Sequence, residues 1–144
     1  MSAKLSPQKE IVRRFYEEMW NRADPSIIPQ LFNPDLTFRG SLGPEHRGYD
    51  GLTGYVERVC GALEGYTCRI VEMVEEGDRV VARLDFFGLH RDVFMGFAPT
   101  GERVAWVGSG HFTFRDGKIA DLWVLGDVHG LIRQLQAHAG KRPA

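Results

Sequence analysis

Pro99-Thr100-Gly101, Arg115-Asp116-Gly117-Lys118-Ile119 and Gly130-Leu131-Ile132-Arg133-Gln134-Leu135 mark out the last third of the chain, and the run through them decides the fold. Residues 102–115 and 118–126 alternate in polarity with period two, the pattern of strands buried on one face. Asp116-Gly117-Lys118 joins them as a hairpin turn, because glycine reaches positive φ without a steric cost. Asp127 to His138 then closes the chain as a helix.

Working back from there, residues 66–75 and 79–94 read as two more strands joined at Glu76-Gly77-Asp78, giving an antiparallel meander. Ahead of Tyr66 the apolar spacing changes to three and four. Leu5 to Trp20 reads as an amphipathic helix with Ile11, Val12, Phe15, Tyr16, Met19 and Trp20 in one stripe. Ser6 suits its N-cap and Pro7 its first position, where a missing N–H costs nothing. Asp24-Pro25 opens a short second helix that ends near Phe32 and is broken by Asn33-Pro34. Leu36 and Phe38 belong to a brief strand, and Ser41 to Gly48 to a loop. Asp50 caps a third helix whose face is Leu52, Tyr55, Val56, Val59, Cys60 and Leu63. The expectation is one α+β domain over residues 1–144, with its core at about 5–139. Three N-terminal helices would pack on one face of a curved, mostly antiparallel sheet, with a short helix at the C-terminus.

With 43% hydrophobic residues in 144, the chain can bury a core of ordinary size. A net charge of -1 offers no basic field, so neither nucleic acid nor an anionic membrane surface is expected as a partner. No apolar run approaches the ~20 residues of a membrane helix. The first residues, Met-Ser-Ala-Lys-Leu-Ser-Pro, contain no apolar leader core, and a cytoplasmic location is the expectation. Cys60 and Cys68 stand outside any paired motif and read as free thiols rather than a redox couple, and no spacing suggests zinc.

Strand parity separates Val80, Ala82, Leu84 and Phe86, on the core face, from Arg79, Arg83 and Asp85. Continued by twos, the core face reaches Gly88, His90 and Asp92. Two residues that far apart on a strand have Cα atoms about 6.5–7 Å apart with side chains on one face, so their tips can meet. His90 and Asp92 are therefore the candidate general acid/base pair, the aspartate orienting the imidazole. Two alternatives stay open: a bulge beyond Gly88 turns them outward, or they satisfy only each other and the backbone. On the next strand Trp106, Gly108, Gly110, Phe112 and Phe114 face the helices. The two glycines would leave a hollow with Trp106 as its wall, suited to a flat apolar ligand, unless large neighbours fill it. His111 falls with Ser109 and Thr113 on the other face, at the surface or a subunit interface. Asp127 reads as a helix cap. Asp121 shares a face with Trp123 and Leu125, and parity alone does not say which face that is.

The ordered set of motifs resembles the SnoaL-like polyketide cyclase family over nearly the whole chain. Ile11-Val12-Arg13-Arg14-Phe15-Tyr16 with Trp20-Asn21 is similar to that family's first helix. Gly77-Asp78-Arg79-Val80-Val81-Ala82-Arg83 and Gly88-Leu89-His90 are similar to its central strand, and the three landmarks quoted first complete the set. The resemblance implies a cone-shaped α+β barrel of the nuclear-transport-factor-2 type, shared with ketosteroid isomerase and limonene epoxide hydrolase, and a homodimer. It implies no metal and no organic cofactor. Fold alone does not confer function. In the cyclases the acid/base aspartate stands six residues after the lysine of the Gly-Lys-Ile turn, which is Val124 here, and the supporting histidine and glutamine fall at Gly110 and Gly108. Valine cannot take a proton from the carbon beside a carbonyl. The epoxide hydrolases carry an Arg-any-Asp run that His90-Arg91-Asp92 resembles, and their tyrosine and asparagine align with Phe38 and Gly40. Trp20 and Tyr55 stand where related cyclases steer the substrate, and both also suit core packing. The expectation is an apolar or aromatic small-molecule ligand held among Tyr16, Trp20, Phe38, Tyr55, Trp106 and Val124, with His90 and Asp92 moving any proton. The alternatives are a non-catalytic ligand-binding module and an enzyme like the epoxide hydrolases.

Overall fold

The computed structural model describes residues 4–140, and the sequence readings that touch residues 1–3 and 141–144 lie outside it. Helix α1 (Pro7–Arg14) starts as expected: Ser6 accepts a hydrogen bond from the Lys9 amide at 3.1 Å, and Pro7 takes the first position. It then widens into a π-helical segment, Phe15–Trp20, with the Asn21 amide reaching back five residues to the Tyr16 carbonyl at 3.0 Å. Phe15, Tyr16, Met19 and Trp20 are all buried there. Asn21 ties this end of the helix to the sheet, donating to the Cys68 carbonyl and accepting from the Cys68 amide.

Three expectations about the first half need correction. The second helix is a 3-10 turn, Pro25–Ile27, running into α2 (Ile28–Leu31), and Asn33-Pro34 does not terminate it but lies inside β1 (Phe32–Arg39). The proline fits because β1 slips register against its neighbour between Phe32 and Thr37, where no ladder donor is required. The loop 41–48 contains a short edge strand, β2 (Glu45–Arg47), too brief to show alternation. Helix α3 (Gly48–Ala62) begins after Arg47, so Asp50 sits in its first turn and does not cap it.

The second half follows the reading more closely: β3 (Leu63–Glu76), β4 (Arg79–His90), β5 (Arg103–Arg115), β6 (Lys118–Gly126) and α4 (Val128–Gly140). Asp116 and Gly117 both hold positive φ in the β5–β6 turn. Asp127 caps α4 by accepting from the Gly130 amide at 2.9 Å. The six strands form one open sheet in the order β2-β1-β6-β5-β4-β3, antiparallel except where β1 runs parallel to β6. Its inner face, which includes Val80, Ala82, Leu84, Phe86, Val104 and Leu122, is buried against the helices. This is the α+β cone anticipated from the sequence. None of the described helices is long and apolar enough to cross a membrane.

Candidate functional site

The wide part of the cone encloses one apolar cavity. Tyr16 and Trp20 reach it from the first helix, Phe38 from β1, Tyr55 from α3, Tyr66 and Phe86 from β3 and β4, and Val124 from β6. Its empty space is about 350 Å³, of which only about 20 Å³ admits the centre of a water molecule. That is room for about one water, so a larger guest enters only as rings move aside. Leu42 and Tyr55 line this space and also an outer groove of about 290 Å³ beside His46, Arg58 and Phe94. They form the partition between inside and outside. Tyr55 lies directly on the backbone of Gly40: a Cβ there would stand 2.5 Å from the phenol Cζ.

Five of the residues anticipated from the sequence, Tyr16, Trp20, Phe38, Tyr55 and Val124, thus meet at one cavity. The expected glycine hollow does not exist as empty space. A Cβ on Gly108 would meet the Phe86 ring at 2.7 Å, and one on Gly110 the Tyr16 hydroxyl at 2.7 Å. The glycines are what lets a ring and a phenol rest on the sheet. Val124 pairs with Gly110 across β5 and β6, so the positions aligned with the acid and its supporting histidine are neighbours holding no polar group. Trp106 is not in the cavity wall but stands beside it, in a pile of rings with Tyr66, Phe86 and Phe94. Tyr66, Phe86 and Ser41 also line the space. Parity could have supplied Phe86, whereas nothing periodic in the 41–44 loop marks Ser41.

The electrostatics of the cavity are those of neutral hydroxyls. The Tyr16 side chain is 2% exposed, and its hydroxyl has no hydrogen-bond partner in the protein. Burial raises its pKa well above that of a free tyrosine, and does the same for Tyr66 and the Cys68 thiol. Tyr55 is pushed up to about 12, again by burial, with the Leu42 backbone offsetting part of the shift. The lining holds no carboxylate, imidazole, ammonium or guanidinium group. It can donate hydrogen bonds from hydroxyls, but no lining group is poised to take a proton at neutral pH.

His90 and Asp92 do not form the expected pair. β4 ends at His90, and the next two amides, of Arg91 and Asp92, both turn to the Ala62 carbonyl, so inward alternation stops there. Asp92 is exposed and accepts from the Val93 amide at 2.7 Å. His90 is fully buried, with Nδ1 3.1 Å from Thr100 Oγ1 and Nε2 3.2 Å from the Phe97 carbonyl. It pins the 91–100 loop, whose tip is a tight turn with Met95 and Gly96 at positive φ between Phe94 and Phe97. Both ring nitrogens are engaged, leaving none to meet a substrate. Asp121 faces outward, accepting from the Thr37 hydroxyl, on the same side as Trp123 and His111. Cys60 and Cys68 are free thiols.

The model of the SnoaL-like polyketide cyclase family matches residues 10–135. The chain belongs to that family. Among solved structures it is similar to TsrD from Streptomyces laurentii, at 25% identity and a TM-score of 0.82, over 94% of this chain and 99% of that one. AclR, a proposed hydroxylase from Streptomyces galilaeus, gives 26% identity and a TM-score of 0.79 over 97% and 100% of the two chains. IdmH, a proposed polyketide cyclase from Streptomyces antibioticus, gives 25% and 0.78 over 90% and 98%. No protein among curated sequences matches significantly.

Proposed function

We propose that this member of the family binds a flat, apolar, oxygenated small molecule in the cone, with the Tyr16 hydroxyl donating a hydrogen bond to a ligand carbonyl. The observation that carries the reading is the Tyr16 hydroxyl itself: buried, unpartnered and set in an uncharged wall. A buried hydroxyl without a partner costs about 1–3 kcal/mol, and a guest that accepts from it recovers that cost. Because the phenol stays neutral, it serves as a donor to a carbonyl or to the enolate that forms from it, not as the base. Ring closure or isomerisation in such a site draws on the bound shape and the substrate's own reactivity, since the position of the family's acid is Val124. The absence of an acid or base from the lining equally favours a second reading, a carrier that binds the same class of molecule without turning it over. A homodimer built on the outer sheet face, where Val107, Trp123 and Leu125 are exposed, belongs to this proposal.

The test is calorimetric binding of 1-tetralone as a ketone probe, followed by assay of linear polyketone substrates. Tyr16→Phe should weaken probe binding ~tenfold while leaving the fold intact, as expected for one hydrogen bond to a buried donor. Equal affinity in both proteins removes Tyr16 from the site. Turnover by the wild type, reduced in Tyr16→Phe, selects the enzyme over the carrier.

A further inference from the structure

We propose that the outer groove is a carboxylate subsite, in which Arg58 and His46 hold the acid end of a ligand whose rings lie in the cone. The ligand class is then an aryl ketone with an acidic tail, taken in preference to its neutral ester. The inference rests on the binding role proposed for the cavity and concerns the other end of its guest. Leu42 and Tyr55 line both spaces, so a chain threaded past them joins the cone to the groove. The groove is part apolar and part basic. Val93 and Met95, 61 and 36% exposed, supply an apolar lip. Its ionisable side chains besides the Tyr55 phenol are Arg58 and His46, and no carboxylate lines it. Among the described residues the Arg58 guanidinium enters no ion pair. His46 Nε2 is buried with no hydrogen-bond partner, and the ring is held by Phe38 and Tyr55, with centroids 6.3 and 5.6 Å away. Two glycines of α3 bring the basic groups to one face. A Cβ on Gly51 would stand 3.2 Å from His46 Cβ, and one on Gly54 would stand 3.5 Å from Arg58 Nη1. Three helical residues rise ~4.5 Å, so the two side chains rest on successive turns of the helix. Burial raises the Tyr55 phenol and the Arg58 charge opposes that shift, which sets the guanidinium within reach of the passage. A carboxylate can accept from both groups through its two oxygens, and these charge-assisted bonds are stronger than those an ester carbonyl makes.

The experiment compares 1-tetralone, the same ketone carrying a propanoate tail beside its carbonyl, and the methyl ester of that acid. Acid and ester share rings, ketone and tail and differ in the charge at its end. By calorimetry at neutral pH the wild type should bind the acid ~tenfold tighter than the ester. Arg58→Gln changes an exposed residue of α3 and should cut that preference to ~twofold, with ester and 1-tetralone affinities unchanged. Arg58→Lys should keep part of the preference, because the charge survives without the fork. His46→Phe leaves a ring against Phe38 and should weaken the acid alone, ~threefold. Added salt should weaken the acid and not the ester. If acid and ester bind the wild type equally, or Arg58→Gln changes both by one factor, the carboxylate subsite is overturned and the cavity reading stands. If none of the three probes binds the wild type, the cavity reading fails and the subsite with it.

Discussion

Burial does two things to the tyrosines of the cone: it removes their hydroxyls from water, and it makes their ionised forms expensive. Tyr16 and Tyr66 have pKa values held above their ordinary value, and Tyr55 is held at about 12. In the unfolded chain the same groups ionise near 10, so above that pH the unfolded state binds fewer protons than the native one. Stability from these tyrosines is therefore fully present below pH 10 and is lost as pH rises from 10 through 12. Urea midpoints measured from pH 8 to 11.5 should fall steeply in that window. The decline should be shallower in Tyr55→Phe, which has one fewer buried phenol to ionise on unfolding. Gly40 makes a separate prediction. A methyl there meets the Tyr55 ring, so Gly40→Ala should cost about 1–3 kcal/mol in urea unfolding and push the phenol outward. Val124→Asp restores the carboxyl that the resemblance places in related cyclases, but in an apolar wall at 7% exposure. Its folded pKa should rise, so the variant should be closest to wild-type stability below pH 4 and lose ground as pH climbs to 7. A variant as stable at pH 7 as at pH 4, relative to wild type, would show that water already reaches this position. The residues of this cavity were legible where helix and strand periodicity mark an inward side, as for Tyr16, Trp20 and Tyr55. The Tyr16 hydroxyl over Gly110 was not legible, because the resemblance gives positions one at a time and the contact joins two elements distant in sequence.

Strand parity located the inner face of β4 correctly up to His90 and then failed at Asp92, because alternation holds only while the ladder continues. Nothing in His90-Arg91-Asp92 announces that the next two amides leave β5 for the Ala62 carbonyl. In the same way β1 hid behind Asn33-Pro34: proline punctuates an isolated segment, yet it is tolerated where the β1–β6 register slips. By contrast, the meander from β3 to β6 was readable because Gly77 and Gly117 mark turns between strands of clear period two. The element that His90 controls is the 91–100 loop beside the outer groove. His90→Ala removes the bridges to Thr100 and Phe97 and leaves a void next to Phe94. It should destabilise the protein by about 2–4 kcal/mol. Hydrogen exchange should speed at the Phe94, Phe97 and Gly101 amides, which hydrogen-bond within this loop or to His90, while β5–β6 amides stay protected. If His90 acts instead in proton transfer, turnover would vanish without faster exchange, and that outcome would restore a catalytic role to the imidazole.

At the scale of the molecule the sheet is sided. Its inner face is covered by helices, while the outer face leaves Val71, Val107, Trp123 and Leu125 in solvent, at 42, 54, 39 and 54% exposure. Arg39 lies over Trp123 with its guanidinium carbon 5.1 Å from the ring centroid, and His111 meets the same indole edge-on. Arg83, Asp85 and Ser109 are interspersed with Val71, Val107 and Leu125 on this face, so its apolar side chains form a mixed patch with a polar share, as non-obligate interfaces do. Self-association is the proposed cover, and it gives a clean experiment because these side chains contribute nothing to the core. Leu125→Glu, in the middle strands and more than half exposed, places a charge opposite its own copy across a two-fold interface. Sedimentation should show a dimer for the wild type at micromolar concentration and a monomer for Leu125→Glu, with the monomer's circular dichroism unchanged. A wild-type protein that sediments as a monomer at all accessible concentrations leaves the exposed valines, leucine and tryptophan without the partner proposed for them.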